Sequence, residues 1–376
     1  SWFLKKVYKR IDFHNFSSVQ SLAETHEPIY VPCHRSHMDY LIFGLELYRR
    51  GLIPLHSVAG INLNFWPVGP LLRRGGAIFI RRSFHGNRLY SAVVKEVMSY
   101  FMRSGFPLCF YPEGGRSRTG LLMQAKTGIF SMILEEARQV QMKPLVFIPV
   151  YIGYDKIIEG ASYRTELRGK RKKTESLKQL FTFRKTMRSN WGNAYVHFAK
   201  PIFLKQSKTS FVASFSPSKK GASYFDLSKN SVSDLAHKVM THINDAAILS
   251  PVGLFSLVLL ASPRRALPQE DLFKVTECLL EILKKSSYAS SSHFPFEKNL
   301  ETLLKETLSL AKIQHFRHPG GDIFYIDEQD SSLLKYYANN ALHFFVLPSL
   351  LASFFVFLDD YKKDSLIENC RYIYFL

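Results

Sequence analysis

The chain has 376 residues, with 50 Lys+Arg against 31 Asp+Glu and four cysteines. At 46% hydrophobic and 14% aromatic it has apolar surface for a core, which argues against disorder. The scattered Cys33, Cys109, Cys278 and Cys370 include no CxxC, which argues against a disulfide scaffold or a zinc ribbon. The net charge of +19 is lopsided: residues 1–204 hold 31 basic and 13 acidic side chains, and residues 205–376 hold 19 and 18. The first half therefore carries a field that favours phosphates, nucleic acid or an acidic membrane surface.

Single cores stop growing near about 250–300 residues, so two structural regions are expected. The chain opens inside an amphipathic segment, Ser1–Ile11, with no Met and no signal peptide, so it is expected to be a fragment of a longer protein. Short apolar runs then alternate with helical patterns. Ile29–Cys33, Ala77–Ile80, Leu108–Tyr111 and Leu145–Tyr151 read as buried strands; Asp39–Arg50, Tyr90–Arg103 and Gly128–Gln139 read as helices. Continuous apolar strands separated by helices predict an α/β sheet covered on both faces over residues 1–204.

Residues 205–234 break the rhythm. Nine serines fall between 207 and 233, with Lys219-Lys220-Gly221 among them, which predicts a loop or linker. Residues 235–376 are expected to be helical, on the three- and four-residue apolar spacing of Asp271–Lys284 and Phe296–Ile313. Ala246–Ala261 and Ala341–Phe357 are too short for the about 20 residues of a membrane span and predict buried or interfacial helices. Arg164–Arg188 holds ten Lys/Arg and two Glu, either a solvated surface or an anion-facing patch.

The first chemistry-bearing block follows the strand Ile29–Cys33. His34 and Asp39 would point about 140° apart in one continuous helix. If His34 lies in a loop and a helix begins near Ser36, with Ser36 and Asp39 spaced as a capping box, the two side chains can meet. Asp39 would then hold one imidazole nitrogen and leave the other as a general base. The plainer reading stays open: a capping Asp39 and a loop histidine. His34 and His37 form an HxxH without the HExxH pattern or a third ligand, so no metal is expected.

The second block, Gly76–Phe84, reads as a strand delivering Arg81 and Arg82 to its C-terminal end, where a planar guanidinium suits phosphate, or as ordinary exposed strand-end arginines. The third, Phe110–Gly120, interleaves Glu113, Gly114, Gly115, Arg116, Ser117 and Arg118, a plausible anion cradle of loop amides, arginine and hydroxyl. It is neither a P-loop, since Leu121 and Leu122 stand where Lys and Ser/Thr belong, nor a GxSxG nucleophile elbow. The fourth, Phe147–Gly153, is a strand carrying Pro149, which marks an edge, a bulge or a special backbone position.

The order of these blocks resembles the four-block signature of glycerolipid acyltransferases. The runs Pro32–Tyr40, Ala59–Pro67 and Glu113–Gly120 are similar to the bacterial glycerol-3-phosphate acyltransferase form. So are Tyr151–Tyr154 and Glu166–Gly169, with a weaker likeness at Leu259–Ser262 and Asn339–His343. The resemblance implies the glycerolipid acyltransferase fold, a mixed sheet covered by helices, followed by a helical region. It implies acyl-CoA or acyl carrier protein as donor, the sn-1 hydroxyl of glycerol 3-phosphate as acceptor and no cofactor. His34 would be the base and Asp39 its partner. Arg82, Arg116 and Arg118 would neutralise the acceptor phosphate, Ser117 and loop amides such as that of Gly114 would add hydrogen bonds, Glu113 would orient hydroxyls or an arginine, and Pro149 would shape the pocket wall. The place implied is the cytoplasmic face of a bacterial inner membrane, held peripherally or monotopically at an anionic surface. Acylation of dihydroxyacetone phosphate or lysophosphatidate stays open, as does a non-catalytic membrane-binding protein. Nucleic-acid binding has no helix-turn-helix, RNP or finger pattern behind it.

Overall fold

A computed structural model describes residues 2–81, 86–139, 143–167, 189–205, 223–286, 294 and 298–357. The chain divides into two units, residues 1–118 with 122–248 and residues 119–121 with 249–376.

The first unit is built on a nine-stranded mixed sheet. Its strands are β1 (Arg10–His14), β2 (Glu27–Pro32), β3 (His56–Gly60), β4 (Ala77–Ile80), β5 (Leu108–Cys109), β6 (Leu145–Tyr154), β7 (Asn193–Phe198), β8 (Ile202–Lys205) and β9 (Ser223–Asp226). They run in the order β1-β7-β6-β2-β5-β3-β4, with β8 paired to β6 and β9 to β8. β2 pairs in parallel with both β5 and β6, β3 with both β4 and β5, while β7 and β8 run antiparallel to β6. β2 and β6 are buried along their whole length, so both faces of the sheet are covered, as the apolar runs Ile29–Cys33 and Leu145–Tyr151 predict.

The helices are α1 (Trp2–Val7), α2 (Phe16–Thr25), α3 (Met38–Arg49), α4 (Val68–Arg74), α5 (Arg88–Arg103), α6 (Gly128–Gln139) and α7 (Gly160–Leu167), followed by Val232–Asp245. α5 buries Val94, Met98 and Met102, four residues apart on one face, and starts where Asn87 accepts the Tyr90 N–H at 2.9 Å. The helix 232–245 opens with a capping box between Ser231 and Asp234 and buries Leu235, Val239 and Ile243.

Pro149 stands inside β6, a central strand. Its neighbour on one side changes there: Val146 and Phe147 pair with β8, and pairing with β7 begins at Val150. The missing N–H falls in that gap, and the Pro149 carbonyl accepts the Ala199 N–H at 2.9 Å, so this is the special backbone position that a central proline requires.

The second unit packs a buried apolar helix, Pro251–Ala261, against helices Gln269–Lys284, Leu300–Leu310 and Glu328–Ala341. Ser250 caps it by accepting the Gly253 N–H at 3.0 Å. Three strands also occur where helix alone was expected: β10 (Ala266–Pro268), β11 (Gln314–Phe316) and β12 (Ile323–Tyr325) form an antiparallel sheet in the order β10-β12-β11. At three residues each they are too short for an alternating pattern to register. Thr119–Leu121 belong to this unit, with Asn339 Nδ2 donating to the Thr119 carbonyl at 2.7 Å. Among the described residues no helix is long and apolar enough to cross a membrane.

The expected 205–234 loop is partly structured. β9 pairs in parallel with β8 and a helix begins at Val232, while residues 206–222 lie outside the described residues. Most of the basic run, residues 168–188, also lies outside them.

Candidate active site

Because β2, β3, β4, β5 and β6 are mutually parallel, their C-terminal ends share one edge of the sheet. Loops at that edge are where open α/β sheets hold ligands. Residues 33–37, 110–127 and 155–159 all leave from it.

β2 ends at Pro32, and Cys33 is tethered to β6: its N–H donates to the Val150 carbonyl at 3.0 Å, and its Sγ lies 3.4 Å from the Ile152 carbonyl. Burial pushes the Cys33 thiol up to about 12, so it is held protonated and is a poor nucleophile. Helix α3 starts at Met38, two residues later than the spacing suggested. The Asp39 carboxylate does receive the Ser36 N–H, as in a capping box. The Ser36 hydroxyl, however, accepts from the Met38 amide rather than from that of Asp39. His34 therefore lies in the loop and Asp39 in the first helical turn, and they meet.

His34 Nδ1 lies 2.8 Å from Asp39 Oδ2. The same oxygen accepts the N–H groups of Arg35 at 2.7 Å and Ser36 at 3.0 Å, and Oδ1 accepts the Tyr154 hydroxyl at 2.5 Å. Four donors thus surround a carboxylate with no solvent exposure. Burial and the neighbouring Asp39 charge hold the Tyr154 phenol well above its usual value, so it stays a donor. Tyr111 packs against the His34 ring at a tilt of 35°, 4.3 Å between centroids, and Tyr40 meets it edge-on at 5.4 Å. Among the described residues His34 Nε2 makes no hydrogen bond, so this nitrogen can serve a substrate proton.

Glu113 is buried, and both its oxygens face backbone amides. Oε1 accepts the His34 N–H at 2.7 Å, and Oε2 accepts the Met123 N–H at 3.0 Å. Burial raises its pKa, against the pull of Arg35 and of these amides. Glu113 thus ties the third block to the histidine loop. Gly114 adopts φ 65° in a turn closed by its N–H on the Tyr111 carbonyl, and a Cβ there would collide with the Lys126 side chain. The turn sends Ser117 back against the first loop, where its N–H donates to the His34 carbonyl at 3.0 Å and the residue is fully buried.

Arg116 and Arg118 point to carboxylates that the sequence reading did not single out as partners. Arg116 Nη1 lies 3.4 Å from Glu159, and Arg118 Nε lies 3.1 Å from Glu166. Arg118 Nη1 also donates to the Arg116 carbonyl at 2.6 Å. The structure therefore joins His34 to Asp39, Glu113 and Ser117 by direct hydrogen bonds and Arg118 to Arg116, while Arg116 meets the histidine loop through Glu159 and Gly114 shapes the turn between them. Pro149 lies beside Val31 in the sheet, and Arg82 lies outside the described residues. Tyr154, Glu159, Tyr163 and Glu166 were the residues missed. Tyr154 and Glu166 lay inside the family-like runs Tyr151–Tyr154 and Glu166–Gly169 without a role of their own, and nothing singled out Glu159 or Tyr163. No group of three or more metal-ligating side chains occurs among the described residues.

With this geometry in hand, a family model described as "Glycerol-3-phosphate acyltransferase C-terminal region" matches residues 163–376, and one described as "Acyltransferase" matches residues 10–153. The chain is 39% identical over 375 residues to the glycerol-3-phosphate acyltransferase of Pseudomonas fluorescens (strain Pf0-1), covering 100% of this chain and 45% of that one. It is 44% identical over 360 residues to that of Shewanella woodyi (strain ATCC 51908 / MS32), covering 94% and 44%. The chain thus spans less than half the length of these relatives. The crystal structure of the 1-acyl-sn-glycerophosphate (LPA) acyltransferase of Thermotoga maritima matches 52% of this chain and 61% of its own, at TM-score 0.30 and 16% identity, too distant to fix fold or function.

Proposed function

The chain belongs to the glycerol-3-phosphate acyltransferase family, and on that premise we propose that it moves a fatty acyl group from acyl-CoA or acyl carrier protein to the sn-1 hydroxyl of glycerol 3-phosphate. The observation that carries the reading is the buried His34–Asp39 pair, with the imidazole held at Nδ1 and its Nε2 left for a substrate. The acceptor hydroxyl gives its proton to His34 Nε2 as its oxygen attacks the thioester carbonyl. Asp39 fixes the imidazole orientation and stabilises the imidazolium. The tetrahedral intermediate then expels the thiolate, which takes the proton back from His34 and leaves as a thiol. The products are lysophosphatidate and the free thiol, and His34 is restored. The transfer is direct: Cys33 is held protonated, and no serine elbow is present in the sequence.

Arg116 and Arg118, together with Arg82, receive the acceptor phosphate; the guanidinium fork suits a phosphate, and Ser117 and the loop amides complete the cradle. No cofactor is needed, because the thioester supplies the driving force. The excess of +18 over residues 1–204 supports a peripheral seat on an anionic membrane, the cytoplasmic face of a bacterial inner membrane, into which the lipid product can pass. The test is labelled acceptor competition with palmitoyl-CoA as donor. Glycerol 3-phosphate should be acylated in preference to dihydroxyacetone phosphate and lysophosphatidate, and a preference for either of the others would reassign the acceptor.

A further inference from the structure

The start of α7 brings three side chains to one face. Glu159, Tyr163 and Glu166 are spaced by four and three residues, which keeps them within about 60° of one another around the axis. The Tyr163 N–H donates to the Glu159 carbonyl at 2.9 Å, so Glu159 is already in register with the helix. This face touches two separate blocks of the site. Toward the histidine loop, Glu159 accepts the Ser36 hydroxyl and the His37 N–H, both at 2.8 Å, and the Tyr163 hydroxyl donates to the Arg35 carbonyl at 3.0 Å. Toward the Gly-rich loop, Arg116 Nη1 lies 3.4 Å from both Glu159 and the Tyr163 hydroxyl, and the ring of Tyr163 faces the guanidinium groups of Arg116 at 5.8 Å and Arg118 at 5.6 Å.

The pattern is not that of a surface ion pair. The Glu159 and Arg116 side chains are 13% and 10% exposed, and one carboxylate is shared among a hydroxyl, an amide and a guanidinium. The contacts of Glu159 to the loop are shorter than its contact to Arg116, so the carboxylate is anchored chiefly on the histidine loop and reaches the guanidinium from there.

We propose that Glu159 and Tyr163 are positioning residues that set the spacing between the base loop Arg35–His37 and the phosphate-binding Arg116, so that acceptor phosphate and general base are aligned by the same helix face. This rests on the functional reading above. Glu159 does not touch the reacting atoms; it acts through Ser36, His37 and Arg116.

The test is a double-mutant cycle of Glu159→Gln and Arg116→Lys, reading kcat and KM for glycerol 3-phosphate and the melting temperature of each protein. Glu159→Gln is expected to lower kcat/KM by about 10–100-fold, the scale of hydrogen bonds to a charged group, with a rise in KM and a fall in kcat. In the Arg116→Lys background the rise in KM should vanish, because the guanidinium that Glu159 aims is gone. Tyr163→Phe keeps the ring beneath both arginines and removes the bond to Arg35 together with the longer contact to Arg116. It should lower kcat several-fold with KM within about twofold, the scale of one neutral hydrogen bond. Additive effects of the two substitutions, or a loss accompanied by equal thermal destabilisation in both Glu159→Gln and Tyr163→Phe, would overturn the proposal. If the unsubstituted chain turned over no glycerol 3-phosphate, the functional reading would fail on its own. Calorimetry of inorganic phosphate binding across the same four proteins would still decide this one: Glu159→Gln should weaken binding only where Arg116 is present, and equal weakening in both backgrounds would contradict it.

Discussion

The two ends of strand β2 each bury a carboxylate, and they treat it in opposite ways. At the N-terminal end Glu27 is 4% exposed, and its Oε1 meets no hydrogen-bond partner among the described residues. Burial pushes its carboxyl up to about 7, with Lys143 pulling the other way. Past the C-terminal end Asp39 is 0% exposed, yet it accepts from His34, Arg35, Ser36 and Tyr154. Both are buried, and they differ in the donors that reach them. A buried carboxylate oxygen short of donors favours the neutral form, which is the direction in which Glu27 is pushed. Asp39 is thus supplied with four donors, while Oε1 of Glu27 has none among the described residues.

Substitutions can break that contrast, and their expected effects differ widely. Asp39→Asn should be the most damaging, lowering kcat by about 10³–10⁴-fold, because an amide can neither hold the imidazole orientation nor stabilise the imidazolium. A loss below tenfold in single-turnover assays would show that Asp39 is only a structural cap. Arg116→Ala should come next, raising KM for glycerol 3-phosphate by about 10–100-fold with a smaller change in kcat, the scale of charge-assisted hydrogen bonds. Steady-state kinetics would read it, and an unchanged KM would remove Arg116 from the phosphate site. Tyr154→Phe deletes one of the four donors and should lower kcat about tenfold while leaving KM for the acceptor within about twofold.

Glu27→Gln should have the smallest effect, leaving turnover unchanged and altering only stability. The unfolded carboxyl titrates near 4.5 and the folded one near 7, so between those values the folded state holds more protons and stability falls as pH rises. Above pH 7 the penalty is complete. The variant should therefore melt higher than the parent at pH 8, by about 2–4 °C for each kcal/mol regained, and the gap should close towards pH 4.5. Calorimetric scans at the two pH values would check it.

This contrast also marks what could be read beforehand. The His34–Asp39 pairing was legible because a strand end, a loop of known length and a helix start fix the geometry of a local pair. Glu159 was not, since it reaches Ser36 across 123 residues of sequence and no local period encodes that distance. For Glu113 the resemblance implied a role in orienting hydroxyls or an arginine; its two contacts with the His34 and Met123 amides are long-range and no local pattern announces them. The covered α/β sheet followed from apolar runs such as Leu145–Tyr154, but β1 (RIDFH) and β9 (SYFD) carry too much polar character to stand out. Glu27 gave no sign of its strain, because the absence of a donor is a property of the packed fold alone.

The central claim is that His34, backed by Asp39, takes the acceptor proton in direct acyl transfer. The decisive measurement is the formation of labelled lysophosphatidate from glycerol 3-phosphate and palmitoyl-CoA by the unsubstituted chain and by His34→Ala, with melting curves on both. The account predicts turnover by the first and a loss of about 10²–10⁴-fold or more in the second at an unchanged melting temperature. Near-native turnover by the correctly folded His34→Ala protein would contradict it.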